Sequence, residues 1–152
     1  MDRLLDEIES YWSTRTEGYS EVNEKELKGM QKKAWLKTLE SGFLEKKLSD
    51  NDKEQLRILD IGTGPGFFPM ILAEAGYHVT AVDYTPGMLE KAAENAAKFI
   101  GEKSSNIEFK RMDAQALEFE DESFDVIISR NLTWNLPHPD QAYGERLRVL
   151  KK

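Results

Sequence analysis

The chain contains no cysteine. Disulfides, thiolate metal ligands and a cysteine nucleophile are therefore excluded. Histidine is nearly as scarce. His78 and His138 stand far apart, and two such residues do not make a metal centre. No apolar run approaches the length of a membrane span, and the start carries no secretory h-region. A cytoplasmic location is the expectation. Basic side chains are the minority, 21 Lys and Arg against 28 Asp and Glu, which gives a formal charge of −7. That balance suits solubility and argues against nonspecific binding to nucleic acid. Neither nucleic acid nor membrane is expected as a partner. Internal repeats and low-complexity tracts are also missing, and 152 residues amount to one domain.

What is present centres on Leu56–Phe68, LRILDIGTGPGFF. Arg57–Ile61 reads as a buried strand, and Phe67–Ala75 reads as a helix. Between them stand Gly62, Gly64 and Gly66. Such glycines permit left-handed backbone angles and close approach of the main chain to a ligand. A dinucleotide fingerprint is G-x-G-x-x-G. Here the run is G-x-G-x-G, and Phe67 occupies the place of the third glycine. Asp60 precedes the loop, where a carboxylate would oppose a pyrophosphate. A neutral or cationic ligand fits better. No Gly-Lys-Ser/Thr follows, so the run is not a P-loop. A plain tight turn in an α/β domain is the alternative.

Downstream the pattern alternates. Tyr77–Val82 is a second strand, Thr85–Phe99 a helix, Ile107–Arg111 a third strand, Phe124–Ser129 a fourth and Gln141–Leu150 a last helix. Strands separated by helices predict an α/β fold with a mostly parallel sheet covered on both faces. Asp83 ends strand two, 21 residues past Gly62, where an acidic side chain can accept two ribose hydroxyls. It could instead cap the following helix, although Thr85 can do so too. Tyr84 and Met88 could cover an adenosine, and Met88 is equally suited to the core. Asp113 follows strand three. Its carboxylate could accept an exocyclic amine while the Ala114 N–H serves a ring nitrogen; a helix cap is the alternative. Strand four ends at Ser129, Arg130 and Asn131. Asn131, Thr133, Trp134, Asn135 and His138 form a polar and aromatic loop, with His138 either a general base or a surface residue. Glu118, Glu120, Asp121 and Glu122 read as solvated charges, and Asp125 as a brace for the sheet.

Residues 1–50 hold no ligand-binding loop. Leu4, Leu5, Ile8, Tyr11 and Trp12 recur at helical spacing and predict an amphipathic helix over the domain or its pocket. Gly18-Tyr19-Ser20 is expected to break that pattern. Glu21–Gly42 reads as a second helix with Leu27, Met30, Ala34 and Leu39 inward, Trp35 beside them and Gly42 as C-cap. Trp12 and Tyr19 either line a site or anchor the segment to the core. The polar connector Ser49–Gln55 is too short to separate independent domains. The organisation expected is a helical extension or lid over 1–50 and a ligand-binding domain over 51–152.

Taken together, DIGTGPGFF (60–68), AVDYTPGMLEKAAENA (81–96), MDAQALEFEDESFDVIISRN (112–131) and ERLRVLKK (145–152) resemble the amino-terminal part of class I S-adenosylmethionine-dependent methyltransferases. The resemblance implies a Rossmann-like sheet of order 3-2-1-4 and S-adenosylmethionine as cofactor. It implies that Gly62, Thr63, Gly64 and Gly66 bend under the methionine portion, with Asp60 near its charged groups. Asp83 would hold the ribose hydroxyls beside Tyr84 and Met88. Asp113 and Ala114 would meet the adenine, Asn131 would lie near the sulfonium or acceptor entry, and Tyr19 would belong to the lid. The activity implied is direct methyl transfer to an aligned small molecule, with no catalytic base demanded. A cofactor-binding protein without turnover and a nicotinamide-dependent oxidoreductase are the competing classes; the loop spacing disfavours the second. Family members continue into further strands, whereas this sequence stops at Lys152. Strand four is then expected at a free edge. Its apolar Phe124, Val126, Ile127 and Ile128 would be covered either by a homodimer through the open sheet side or by residues 1–42 of the same chain.

Overall fold

The computed structural model describes residues 3–48, 52–130 and 136–152. Four parallel strands form one sheet of order β3-β2-β1-β4: β1 (Arg57–Ile61), β2 (His78–Asp83), β3 (Ile107–Arg111) and β4 (Val126–Ile128). The expected α/β architecture and strand order are both present. Ile61 pairs with Val82, Asp83 with Arg111 and Asp60 with Ile128, so the carboxyl ends of all four strands gather along one rim.

The pleat of β1 sends alternate residues to opposite faces. Ile58 packs with Phe68, Ile71, Leu72 and Val126 beneath α5 (Phe67–Glu74). Leu59 and Ile61 pack with Val82, Leu117, Phe124 and Val149 on the other side, where α7 (Pro139–Val149) lies. Both faces of β1 are thus buried, as its unbroken apolar run requires. A third cluster joins Met70 and Ala73 of α5 to Ala81, Ile107 and Ala96 of α6 (Pro86–Ile100).

The amino-terminal half corrects several expectations. After α1 (Arg3–Ser13), Gly18-Tyr19-Ser20 does not break the chain but lies inside α2 (Thr16–Lys28). Tertiary contact overrides the local glycine. Ser20 is buried and accepts a hydrogen bond from Asn95 Nδ2 at 3.0 Å. The interruption falls instead at Gly29, whose extended backbone separates α2 from α3 (Met30–Leu39). The helical phase resets there, so Met30, expected inward, is 86% exposed, and Ala34 also faces solvent. Gly42 caps nothing. It sits in a π-helical turn, Glu40–Leu44, that leads into the short α4 (Glu45–Leu48).

The β4 edge is better covered than its position suggests. Phe124 is fully buried; its N–H donates to Val149 O at 2.9 Å, and its carbonyl accepts from Lys151 N at 2.8 Å. Residues 149–151 therefore shield the entry to the strand. Val126 and half-buried Ile128 join a cluster that includes Leu39 and Trp35 of α3, so the amino-terminal helices cover one face within the same chain. Ile127 is only half-buried. Asp125 braces the sheet: its Oδ2 accepts the Arg57 N–H at 2.8 Å, and Lys151 Nζ lies 3.3 Å from Oδ1. Asp121, read as a solvated charge, pairs with Arg148 at 2.9 Å while remaining largely exposed.

Two glycines contrast usefully. Gly66 caps α5 with φ of +94°, and a Cβ there would meet Ala92 Cβ at 3.1 Å. Gly18 lies in a helix with nothing within 4 Å of such an atom. Gly66→Ala is expected to destabilise the protein by about 1–3 kcal/mol and Gly18→Ala to stabilise it by about 0.4–1 kcal/mol. Urea denaturation checks both, and equal effects at the two positions would contradict the assigned backbone conformations.

Candidate functional site

The rim where β1 and β2 end is shaped by the glycine turn. Gly62, Gly64 and Gly66 all have positive φ, at 74°, 56° and 94°. The Gly62 and Thr63 N–H groups donate to Val82 O at 2.8 and 3.0 Å, and the Gly64 N–H donates to Asp83 Oδ2 at 2.9 Å. These amides are committed to the protein, so the turn does not present the open row of donors that a phosphate nest requires. The spacing of the glycines already pointed away from pyrophosphate; the hydrogen bonding gives the physical reason.

Asp83 Oδ1 accepts the Thr85 N–H at 2.9 Å, which helps to start α6. Each carboxylate oxygen therefore carries one backbone donor and retains acceptor capacity. Both expected roles of Asp83 coexist, since bracing the turn and the helix start does not exhaust the group. Asp113 is arranged similarly, with Oδ1 accepting from Gln115 N at 2.8 Å and Gln115 Nε2 at 3.1 Å. Ala114 is buried beside it.

Two cavities meet at the turn. The first runs past Asp83, Tyr84, Met88, Asp113 and Ala114, with Leu5, Ile8 and Trp12 of α1 also lining it. The second runs past Asp60, Thr63, Phe67, Asn23 and Glu26. Tyr19, Gly62, Gly64 and Arg130 border both. The Tyr19 ring lies 3.9 Å from where a Gly64 Cβ would be, and its face meets Trp12 edge-on at 5.4 Å. Gly66 lines neither cavity; it serves the contact between α5 and α6. Tyr84 turns its hydroxyl toward Asp6 of α1 at 3.3 Å, under the guanidinium of Arg111. Asn131, Thr133, Trp134 and Asn135 lie outside the described residues. His138 is exposed at the start of α7, lines neither cavity, and donates its N–H to Gln115 Oε1 at 2.6 Å. Among the described residues, no group of three or more His, Asp or Glu side chains is placed to hold a metal ion.

Sequence reading missed Glu26 altogether and named Arg130 only as a strand end. Arg130 Nη1 donates to Glu26 Oε2 at 2.8 Å and Nη2 to Oε1 at 3.4 Å, linking α2 to the end of β4. The signal was present: Tyr19, Val22, Asn23 and Glu26 follow the i, i+3, i+4, i+7 spacing of one helical face. It becomes visible only when the helix is carried through Gly18.

The electrostatics are acidic. Burial pushes the Asp60 carboxyl up to about 7; the Thr63 hydroxyl opposes this and the Asp83 charge adds to it. That opposition is weak in geometric terms, because the buried Thr63 Oγ1 makes no hydrogen bond among the described residues. Asp83 is also raised, by burial, against the pull of the Thr85, Gly64 and Tyr84 amides. Two neighbouring carboxyls raised in this way suit a cationic ligand, which favours their ionised forms.

Residues 58–152 match a family described as "Methyltransferase domain". A demethylmenaquinone methyltransferase from Clavibacter sepedonicus is 38% identical over 95 residues, covering 62% of this chain and 37% of that protein. An arsenite methyltransferase from Halobacterium salinarum is 37% identical over 97 residues, 62% of this chain and 24% of that one. The chain thus spans well under half the length of these relatives. The crystal structure of an arsenic(III) S-adenosylmethionine methyltransferase from Chlamydomonas reinhardtii aligns with a TM-score of 0.58 at 34% identity, covering 65% of this chain and 36% of that one. A Methanococcus maripaludis structure, at 23% identity, covers 90% of this chain and 59% of its own with a TM-score of 0.63, a likeness of fold.

The raised Asp60 carboxyl gives a test of the site's acidity. In the unfolded chain it titrates near 3.8, and in the folded protein near 7. Between those values folding takes up a proton, so the contribution is full below the window and lost as pH rises through it. Asp60→Asn, neutral throughout, is expected to match the parent near about pH 4 and to exceed it at about pH 8 by roughly 2–4 kcal/mol. Urea denaturation at the two pH values measures this. Equal destabilisation at both would remove the buried-acid assignment.

Proposed function

Because the chain belongs to the methyltransferase-domain family, we propose that it binds S-adenosylmethionine along the glycine turn and directs its methyl group onto a small-molecule acceptor. The observation that carries this reading is the Asp83 carboxylate. It is fixed by Gly64 and Thr85 N–H groups, borders the first cavity and retains acceptor capacity for a ribose diol. Asp113 and Ala114, at the next strand end, are the candidates for the adenine edge, and Tyr84 and Met88 for its faces.

The residues fit this cofactor on several counts. The acidic pair Asp60–Asp83 answers a cation, the unpartnered Thr63 hydroxyl can take up a polar group, and Gly62 and Gly64 leave room for close approach. S-adenosylmethionine supplies a methyl group already activated on a sulfonium. The protein's own contribution is then alignment and exclusion of water, not proton transfer. Trp12, Leu5 and Ile8 supply an apolar wall, and Tyr19 reaches over the turn between the two cavities. We assign α1 and α2 the role of a lid over the domain that begins near residue 51. Asn131, outside the described residues, is expected from the family pattern near the sulfonium or the acceptor entry. No helix among the described residues is long and apolar enough to cross a membrane. A small-molecule acceptor and a cytoplasmic location complete the reading, and Ile127 at the half-covered β4 edge is proposed as a contact for a homodimer.

Calorimetric titration with S-adenosylmethionine tests the assignment. Asp83→Ala is expected to weaken binding by about 10–100-fold, the scale of losing charge-assisted hydrogen bonds to two hydroxyls. NADH bound more tightly than S-adenosylmethionine would overturn the class. Transfer of labelled methyl is then measured on a panel beginning with demethylmenaquinone and arsenite, the acceptors named for its relatives. Binding without transfer to any member would leave a cofactor-binding protein.

A further inference from the structure

The second cavity, beside Asp60 and Thr63, has a composition that the adenosine half of the site does not explain. Its border carries one strong cation, Arg130, and two acids, Glu26 and Asp60, around a buried hydroxyl, Thr63, that has no hydrogen-bond partner among the described residues. Arg130 and Glu26 come from elements distant in sequence and meet as a two-point ion pair, 2.8 and 3.4 Å. The Glu26 side chain is 13% exposed and that of Arg130 35%. The Arg130 guanidinium is also held by aromatic faces, 5.1 Å from the Trp35 ring and 5.9 Å from that of Phe67.

We propose that the Glu26–Arg130 pair is a receptor for an α-amino acid zwitterion, the methionine end of the cofactor, and that it opens to admit one. The proposal rests on the S-adenosylmethionine reading and assigns two further residues to it. Charge conservation carries the inference. Removing one partner from a largely buried ion pair leaves the other charge uncompensated, at substantial cost. A ligand bearing only negative charge would satisfy Arg130 and strand Glu26 beside Asp60. A ligand bearing only positive charge would strand Arg130. A zwitterion brings both signs a short distance apart. Its carboxylate takes the Arg130 guanidinium in the fork geometry that Glu26 occupied, and its ammonium takes the Glu26 carboxylate. No charge is then left alone. The stacking on Trp35 and Phe67 holds Arg130 in place while its partner changes. The Thr63 hydroxyl offers a further bond to either end of the zwitterion. Because Glu26 belongs to α2 and Arg130 to the end of β4, a ligand held by both joins the lid to the sheet.

Titration with two ligands that share the adenosine part isolates this contribution. S-adenosylhomocysteine carries the amino acid end, and 5′-methylthioadenosine lacks it. The wild-type protein is expected to bind the first more tightly by about tenfold or more. Arg130→Met and Glu26→Gln are each expected to lower affinity for S-adenosylhomocysteine by about 10–100-fold while leaving 5′-methylthioadenosine within about twofold of wild type. The retained nucleoside binding shows that the variants are folded. Arg130→Lys, which keeps the charge and loses the fork, is expected to fall between. Equal losses for both ligands would mark the pair as a structural bridge and overturn the proposal, as would S-adenosylhomocysteine affinity unchanged in the near-isosteric Glu26→Gln. Wild type binding the two ligands equally would defeat the zwitterion receptor alone. Wild type binding neither would defeat the cofactor reading on which it stands.

Discussion

The hydrogen bond from the Gly64 N–H to Asp83 Oδ2, 2.9 Å long, ties the turn after β1 to the end of β2. Most of the site follows from it. The same carboxylate receives the Thr85 N–H, so one side chain fixes the glycine turn and the beginning of α6. Gly62 and Thr63 spend their amides on Val82 O. The turn is thereby poor in free donors, and the acceptor capacity left on Asp83 is the feature we propose for ligand binding. A crevice at strand carboxyl ends is common to open α/β sheets. Here its chemistry is set by which backbone groups are already used.

Burial disfavours the charged form of Asp60 and the nearby Asp83 charge adds to this, so the carboxyl is pushed up to about 7. Perturbed acids of this kind gather at functional sites because the ligand relieves what the free protein must tolerate. The surrounding core bears the cost. Ile58, Leu59 and Ile61 on the same strand are each no more than 1% exposed.

The amino-terminal helices are joined to the sheet by contacts of unequal worth. Asp6–Tyr84 and Glu17–Lys91 lie at the surface and hold little. Ser20–Asn95 is buried and sets the seating of α2 on α6, with Asn95 Nδ2 also reaching Pro65 O at 3.1 Å next to the glycine turn. Leu39 and Leu44 anchor the far end in the core.

The interior strand was legible because a parallel strand buried on both faces must be written as a short apolar run, whereas the edge strand I-E-F-K-R alternates apolar and charged residues. Arg57–Ile61 and Ile107–Arg111 appear with the bounds read from the sequence, and the others differ at their ends. The glycine turn and Asp83 were legible because positive φ and an acid at a strand end restrict residue type. The helical half was less so. Gly18 suggested a break that Ser20–Asn95 prevents, and Gly29 supplied a real one whose effect on phase turned Met30 outward. The Glu26–Arg130 pair was hidden for a different reason: two ordinary charges, one on a helix and one at a strand end far along the chain, have no shared local signal. The sequence by itself determined the strands, the turn and the acidic character of the rim, because backbone conformation and burial act on neighbouring residues. Only the tertiary structure decided which distant side chains meet across the cavities, because a contact spanning most of the chain depends on how every intervening element packs.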